Sequence, residues 1–276
     1  MHGAMSAEGA PEGFVPRPPD QRRLDGRRAL VTGADSGIGQ GVAYELAANG
    51  AAVAINYLGD PATAGDMTRE ITGAGGKAIA VKMDVTSEED VEHAFAAARK
   101  AFGGLDLLVN NAGIEKPFRL VDMPLEWWRR VIDVNLTGVF LCSRSAARIM
   151  LDDGVPGAIV NITSVHEQIP WRRFSHYCAS KGGEKLFAQS IARELAPHGI
   201  RVVNVAPGAI ATPINRSVLA DPEQREEVLK EIPLGRWGEV SDVARVVAWA
   251  ASEEAGYVVG STIFVDGGMT LYPEFE

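Results

Sequence analysis

The sequence predicts an α/β fold, a doubly wound parallel sheet with helices on both faces, and three observations carry that expectation. Short β-branched or apolar runs recur along the chain, segments of helical periodicity separate them, and a glycine-rich turn follows the first run and opens a helical stretch. The runs fall at residues 29–31, 51–55, 78–81, 105–109, 158–162, 201–205 and 262–265, each fitting a strand buried on both faces. Between them, apolar side chains recur at helical spacing, as in Val91, Phe95, Ala98 and Phe102, or Ile191 and Leu195. Right-handed crossovers lay each helix against the sheet, and ligands in such folds bind at the carboxyl ends of the strands.

The length of 276 residues suits one domain, expected over residues 25–276. Residues 1–24, rich in Gly and Pro with no apolar run, read as a flexible arm. Residues 207–238 carry enough Pro and Gly to suggest an irregular cap over a substrate. Acidic residues outnumber basic ones by 36 to 27, which argues against a nucleic-acid or anionic-membrane surface. No stretch reaches the ~20 apolar residues of a membrane span. Only two cysteines, Cys142 and Cys178, occur, in apolar or small-residue surroundings that suit a reducing cytoplasm.

Two groups of residues carry chemistry. Thr32-Gly33-Ala34-Asp35-Ser36-Gly37-Ile38-Gly39 lies between the first strand and the first helix. Its glycines permit a tight turn and close backbone approach to a pyrophosphate, which the helix N-terminus then faces. Farther on, Ser164 ends the fifth strand, and Tyr177-Cys178-Ala179-Ser180-Lys181 opens a helix, with Tyr and Lys four apart on one face. A phenol of reference pKa about 10 is a poor base near neutrality, but a neighbouring ammonium favours the phenolate. Ser164 can hold a reacting oxygen about 3 Å from that phenol.

Other candidates take plainer readings. His166 and Glu167 lack the second His of a metal motif, so no metal is expected, and a substrate contact competes evenly with loop structure. Trp127 and Trp128 read as packing or subunit-contact residues, Cys178 has no base at a recognisable spacing, and Glu88, Glu89 and Asp90 are first-turn acids.

The G-x-x-x-G-x-G spacing together with Ser164, Tyr177 and Lys181 resembles the short-chain dehydrogenase/reductase family from about Leu24 onward. The resemblance implies a Rossmann-type sheet of about seven strands in the order 3-2-1-4-5-6-7, and a nicotinamide cofactor. Its cofactor contacts would come from Thr32, Gly33, Ser36, Gly37, Ile38, Gly39, Tyr57, Asp84, Val85, Asn111, Ala112, Gly113, Pro207, Gly208, Ile210 and Thr212, with Tyr177 and Lys181. Asn135 would hold a water in the proton relay, completing a set of Asn135, Ser164, Tyr177 and Lys181. Within the family, the stretches around Ser164, His176, Thr212, Asp221 and Asp266, the last running through Tyr272 and Pro273, are similar to bacterial glucose 1-dehydrogenases. That likeness implies oxidation of the C1 hydroxyl of a sugar, with Glu115, Ser164, His166, Glu167, Tyr177 and Asn215 around it. It also implies a homotetramer assembled through helices near 124–150 and 177–196. Reduction of a 3-oxoacyl thioester or another sugar or polyol is the alternative within enzymes, and a cofactor-binding regulator the alternative outside them.

Cofactor choice is read from the end of the second strand, Asn56-Tyr57-Leu58-Gly59-Asp60. It lacks the acid that meets a ribose in NAD enzymes, and Leu58 stands where the glucose 1-dehydrogenases tend to carry an arginine. The expectation is NAD favoured, with NADP tolerated.

Overall fold

The structure, a computed structural model, describes residues 23–271, so residues 1–22 of the expected arm and Tyr272 and Pro273 lie outside the described residues. Arg23 and Leu24 belong to the folded body: Leu24 is buried, its N–H donates to the Asn49 carbonyl at 2.9 Å, and Arg23 pairs with Glu254.

Seven parallel strands form one sheet in the order β3-β2-β1-β4-β5-β6-β7, as expected. They are β1 (Arg28–Val31), β2 (Ala52–Tyr57), β3 (Lys77–Lys82), β4 (Leu107–Asn110), β5 (Gly157–Ile162), β6 (Ile200–Pro207) and β7 (Thr262–Val265). The apolar helical faces divide between the two sides of the sheet. Helices α1 (Gly37–Ala48), α2 (Ala62–Gly73) and α9 (Val240–Ala251) close one core, in which Leu46, Met67, Ile71 and Val247 are fully or almost fully buried. Helices α3 (Glu88–Phe102), α5 (Gly138–Asp153) and α6 (Ser175–Leu195) close the other, around Phe95, Met150 and Ala192. The sequence places Val91, Phe95 and Ala98 on one stripe, and all three are buried there.

Burial of the strands on both faces is confined to the middle of the sheet. β3 exposes Lys77 and Lys82 and buries Ala78 and Val81, and β7 is half-buried throughout, because both are edge strands. Residues 207–238 are also more regular than expected. They hold a 3-10 turn at Pro213–Asn215 and two short helices, α7 (Arg216–Ala220) and α8 (Pro222–Lys230), the latter started by Asp221, whose carboxylate accepts from the Glu223 and Gln224 amides. A further helix, α4 (Leu125–Ile132), runs through a π-helical turn at Asp133–Thr137 into α5, so Leu125 to Asp153 forms one long rod with a local π-bulge, where the helix is underwound.

At the carboxyl edge the register brings Asn110, Asn161, Asn204 and Thr262 side by side on β4, β5, β6 and β7. Their side chains form a buried ladder: Asn110 Nδ2 donates to Asn161 Oδ1 (2.9 Å), Asn161 Nδ2 to Asn204 Oδ1 (2.9 Å), and Asn204 Nδ2 to Thr262 Oγ1 (3.4 Å). Thr262 Oγ1 in turn donates to Glu167 Oε1 at 2.8 Å. Asn110 Nδ2 donates as well to Ser143 Oγ on α5 (3.0 Å), and the ladder ties the four strands to one another. Asn161→Ala is expected to destabilise the protein by roughly 2–4 kcal/mol, since it strands the Asn204 carbonyl in the interior. Urea unfolding of parent and variant at equal slope measures that loss.

Candidate active site

The glycine-rich turn is held from behind. Thr32 Oγ1 accepts from the amides of Asn111 and Ala112, both at 2.9 Å, which ties the turn to the end of β4. Gly33 donates its N–H to Asn56 Oδ1 at 2.9 Å, and the amide nitrogen of Asn56 is spent on the Tyr57, Val81 and Met83 carbonyls. Gly33 and Gly37 have φ of 57° and 53°, left-handed values that favour glycine. Gly39 is needed for another reason: a Cβ there would lie 2.3 Å from Asn111 Nδ2 and from the Gly33 carbonyl oxygen.

In front of the turn lies a groove of about 840 Å³. Gly33, Ser36, Gly37, Ile38, Asp84, Val85, Asn111, Ala112, Gly113 and Thr212 all line it, so ten of the cofactor candidates converge. Thr32, Gly39 and Tyr57 are not on its surface. The first two shape the turn, and Tyr57 packs against the core, while the neighbouring Leu58 faces the groove. The opposite wall comes from α4 through Leu125, Glu126, Arg129 and Arg130, which sequence spacing did not single out. These features fit a dinucleotide. The start of α1 offers backbone N–H groups to a pyrophosphate, and a Cβ at Gly33 would press to 3.1 Å from the Ala112 Cα.

A second cavity of about 490 Å³ shares Ile38, Asn111, Gly113, Ile114, Thr212 and Ile214 with the groove and contains Ser164, Tyr177 and Lys181. Pro207, Gly208 and Ile210 line it as well. Ser164 follows β5 by two residues and caps a 3-10 turn, its Oγ accepting the His166 N–H at 3.1 Å, and its hydroxyl also bonds the Tyr177 phenol. Lys181 lies one turn along α6 from Tyr177, with Nζ 6.0 Å from the phenol ring centre. That ammonium is buried and donates to the Ile162 carbonyl (2.8 Å) and to Glu184 Oε2 (2.7 Å). Burial pushes the Tyr177 hydroxyl above its usual range, and Lys181 and the Ser164 hydrogen bond pull it back. Burial alone would lower the Lys181 value, but Glu184 and Tyr177 raise it, so the group stays charged.

Asn135 is fully buried in the π-helical turn. Its Oδ1 accepts from the Ile114 N–H (2.8 Å), and its Nδ2 donates to the Ile114 carbonyl (3.0 Å) and to Ser180 Oγ (3.2 Å). The side chain thereby clamps the loop after β4 onto α6.

The substrate candidates separate. Glu115 and His166 line the cavity. Burial pushes the Glu115 carboxyl up to about 7. His166 stacks on Trp171 at 4.5 Å, bonds the Ile169 carbonyl through Nδ1, and is shifted down by burial, which favours the neutral ring. Asn215 also lines the cavity, but its Nδ2 is committed to the Ile210 carbonyl at 2.8 Å. Glu167 does not belong to the lining: it turns away to Thr262 and to Lys185, 3.2 Å distant. Trp171 and Met269, within stretches that the sequence placed around the site without singling them out as contacts, and Trp237 and Glu231, which the sequence reading missed, complete the walls from the 168–174 loop and from beyond α8. Glu184 was missed too, although an acid three residues after Lys181 on a helix was a visible signal.

The sequence from residue 33 to 270 matches the family model described as enoyl-(acyl carrier protein) reductase. The chain is 48% identical to 3beta-hydroxysteroid dehydrogenase 1 of Eggerthella lenta, over 92% of this chain and 97% of that protein. It is 43% identical to glucose 1-dehydrogenase 2 of Bacillus subtilis, over 91% of this chain and 97% of that protein. Among solved structures, gluconate 5-dehydrogenase from Burkholderia cenocepacia in complex with NADP and tartrate superposes with a TM-score of 0.87 at 35% identity, covering 92% of this chain and 99% of that one. The fold, the joined groove and cavity, and these likenesses together show that the chain belongs to the short-chain dehydrogenase/reductase family of oxidoreductases.

Proposed function

We propose that this protein interconverts a ring-borne alcohol and its carbonyl form, with a sugar hemiacetal as the first substrate class. The observation that carries the reading is the convergence of Ser164, Tyr177 and Lys181 in a cavity that opens into the groove beside the glycine-rich turn. A nicotinamide cofactor supplies the hydride acceptor or donor when bound in that groove. The chain's own residues handle the proton and the geometry. Ser164 Oγ positions the substrate oxygen, the Tyr177 phenolate takes its proton in the oxidative direction, and Lys181, held by the Ile162 carbonyl, keeps positive charge near the phenol. For a sugar, Glu115 and neutral His166 supply polar contacts to neighbouring hydroxyls, and an analogue lacking one of those hydroxyls loses roughly 1–3 kcal/mol. A 3β-hydroxysteroid is the second reading. It is favoured by the apolar share of the wall, Ile169, Pro170, Val218, Val228 and Met269, and by the commitment of Glu167 and Asn215 to other partners.

Tyr177→Phe is expected to lower turnover by at least about 10²-fold while leaving dinucleotide binding within a few-fold of the parent. Activity within tenfold of the parent would remove Tyr177 from the chemistry. Steady-state reduction of NAD or NADP with glucose, 2-deoxyglucose and a 3β-hydroxysteroid separates the two substrate readings, and an active glucose reaction should lose apparent affinity in His166→Ala and Glu115→Ala.

We assign NAD as the favoured cofactor and NADP as tolerated, because neither an acid nor a base stands at Leu58, an exposed residue on the groove. Leu58→Arg should improve use of NADP about tenfold through a charge-assisted phosphate contact, read as kcat/KM for each cofactor.

Glu115 also predicts a pH dependence of stability. Its folded value of about 7 lies above the ordinary carboxyl value of 4.5, so the folded chain holds this proton more tightly than the unfolded chain does. The resulting stabilisation is complete below about 4.5 and is lost as pH rises through about 7. Glu115→Gln keeps the neutral shape without the titration. The unliganded variant should gain roughly 2 kcal/mol over the parent in slightly alkaline buffer and nothing in acid, measured by denaturant unfolding across that window.

A further inference from the structure

Glu184 lies on α6, one turn beyond Lys181, and its side chain has no solvent exposure. Its Oε2 accepts from Lys181 Nζ at 2.7 Å, while its Oε1 is buried without a hydrogen-bond partner. A carboxylate oxygen left without a donor in the interior is costly, so a purely structural counter-ion would be expected to satisfy both oxygens. Here only the oxygen facing the ammonium is used. Lys181 Nζ spends its other observed bond on the Ile162 carbonyl, where β5 ends two residues before Ser164.

We propose that Glu184 is a positioning residue for the reaction: it pins the Lys181 ammonium against the end of β5 and partly cancels the positive charge which that ammonium presents to Tyr177. This inference rests on the assignment of Tyr177 and Lys181 as the acid/base pair. Two consequences follow from the geometry. With Glu184 in place, Lys181 cannot swing toward the phenol without leaving a buried carboxylate unpaired. Because the acid and the phenol lie on opposite sides of one ammonium along α6, a change in charge at Glu184 is felt at Tyr177.

The surrounding charges support the same view. The phenol faces Lys181, Glu115 and Glu184, together with the Ser164 hydroxyl. Glu184 faces Lys181 on its own helix and Glu167 from the turn after β5, and Glu167 is itself paired with Lys185. The π-helical turn packed on α6 contributes the neutral Asn135, bonded to Ser180. On β6, Arg201 is bonded to the Ala250 and Ser252 carbonyls. Burial pushes the Glu184 carboxyl up, with Lys181 opposing that shift and Glu167 adding to it.

The test is a tyrosinate titration by ultraviolet difference absorbance, which needs no substrate. The Tyr177 signal is the parent spectrum minus that of Tyr177→Phe, and the same pair is compared in a Glu184→Gln background. Glu184→Gln keeps the shape and an acceptor for Nζ but removes the charge. The Tyr177 midpoint is expected to fall by about one pH unit, a tenfold change in proton affinity. Glu184→Asp, which keeps the charge but draws it back by one methylene, should give a smaller fall and carries the test if the Gln variant does not fold. A midpoint that is unmoved or raised in a folded variant, judged by circular dichroism, overturns the proposal. Retention of turnover by Tyr177→Phe would defeat the catalytic assignment instead, and would leave the titration result for Glu184 standing.

Discussion

A buried ammonium organises this site. Lys181 Nζ cannot stay charged in the interior without partners, and it finds them in the Ile162 carbonyl and the Glu184 carboxylate. Those bonds fasten the first turns of α6 to the end of β5, which is also where Ser164 begins its turn. The separation of phenol, hydroxyl and ammonium is thereby set by backbone elements rather than by flexible side chains, the condition for holding reacting groups in a productive geometry.

The same edge of the sheet is stiffened by polar contacts that a purely apolar core would lack. The ladder from Asn110 to Thr262 crosses four strands and ends on Glu167, the acid that also pairs with Lys185 on α6. Glu167 therefore joins the strand ends to the helix that carries Tyr177, a structural duty that accounts for its turning away from the cavity. Asn135 does comparable work on the other side, clamping Ile114 and Ser180. Placing satisfied amides and acids along one edge gives rigidity where ligands bind, at the risk that losing any member strands its neighbours.

The cavity itself has two characters. Apolar groups from the 168–174 loop and from α7 and α8 form much of the wall, and Trp171 stacks with both His166 and Phe174 beside the Tyr177 ring. Against that wall stand Glu115 and His166, each shifted by burial toward its neutral form. A neutral carboxyl and a neutral imidazole can donate and accept without the desolvation cost of a full charge, which suits hydroxyl-rich ligands as well as the single hydroxyl of a larger apolar ring. That dual character parallels the likeness to both a sugar and a steroid dehydrogenase.

Local sequence determined the elements whose signals are local. Short continuous apolar runs located all seven strands to within a few residues, and the spacing of Gly33, Gly37 and Gly39 marked the turn because only a short stretch of backbone must bend there. Tyr177 and Lys181 were legible because helical geometry puts positions four apart on one face. The edge character of β3 and β7 and the helices within 207–238 were not, since neighbours across the sheet and the Asp221 cap decide them. Only the tertiary structure decided which side chains near the motifs face the ligand. Glu167 is three residues from Ser164 yet turns to Thr262, 95 positions away, and Tyr57 packs inward while Leu58 faces the groove. The wall from α4 and the partnership of Glu184 with Lys181 likewise depend on how whole elements pack, and packing joins residues that no sequence spacing relates.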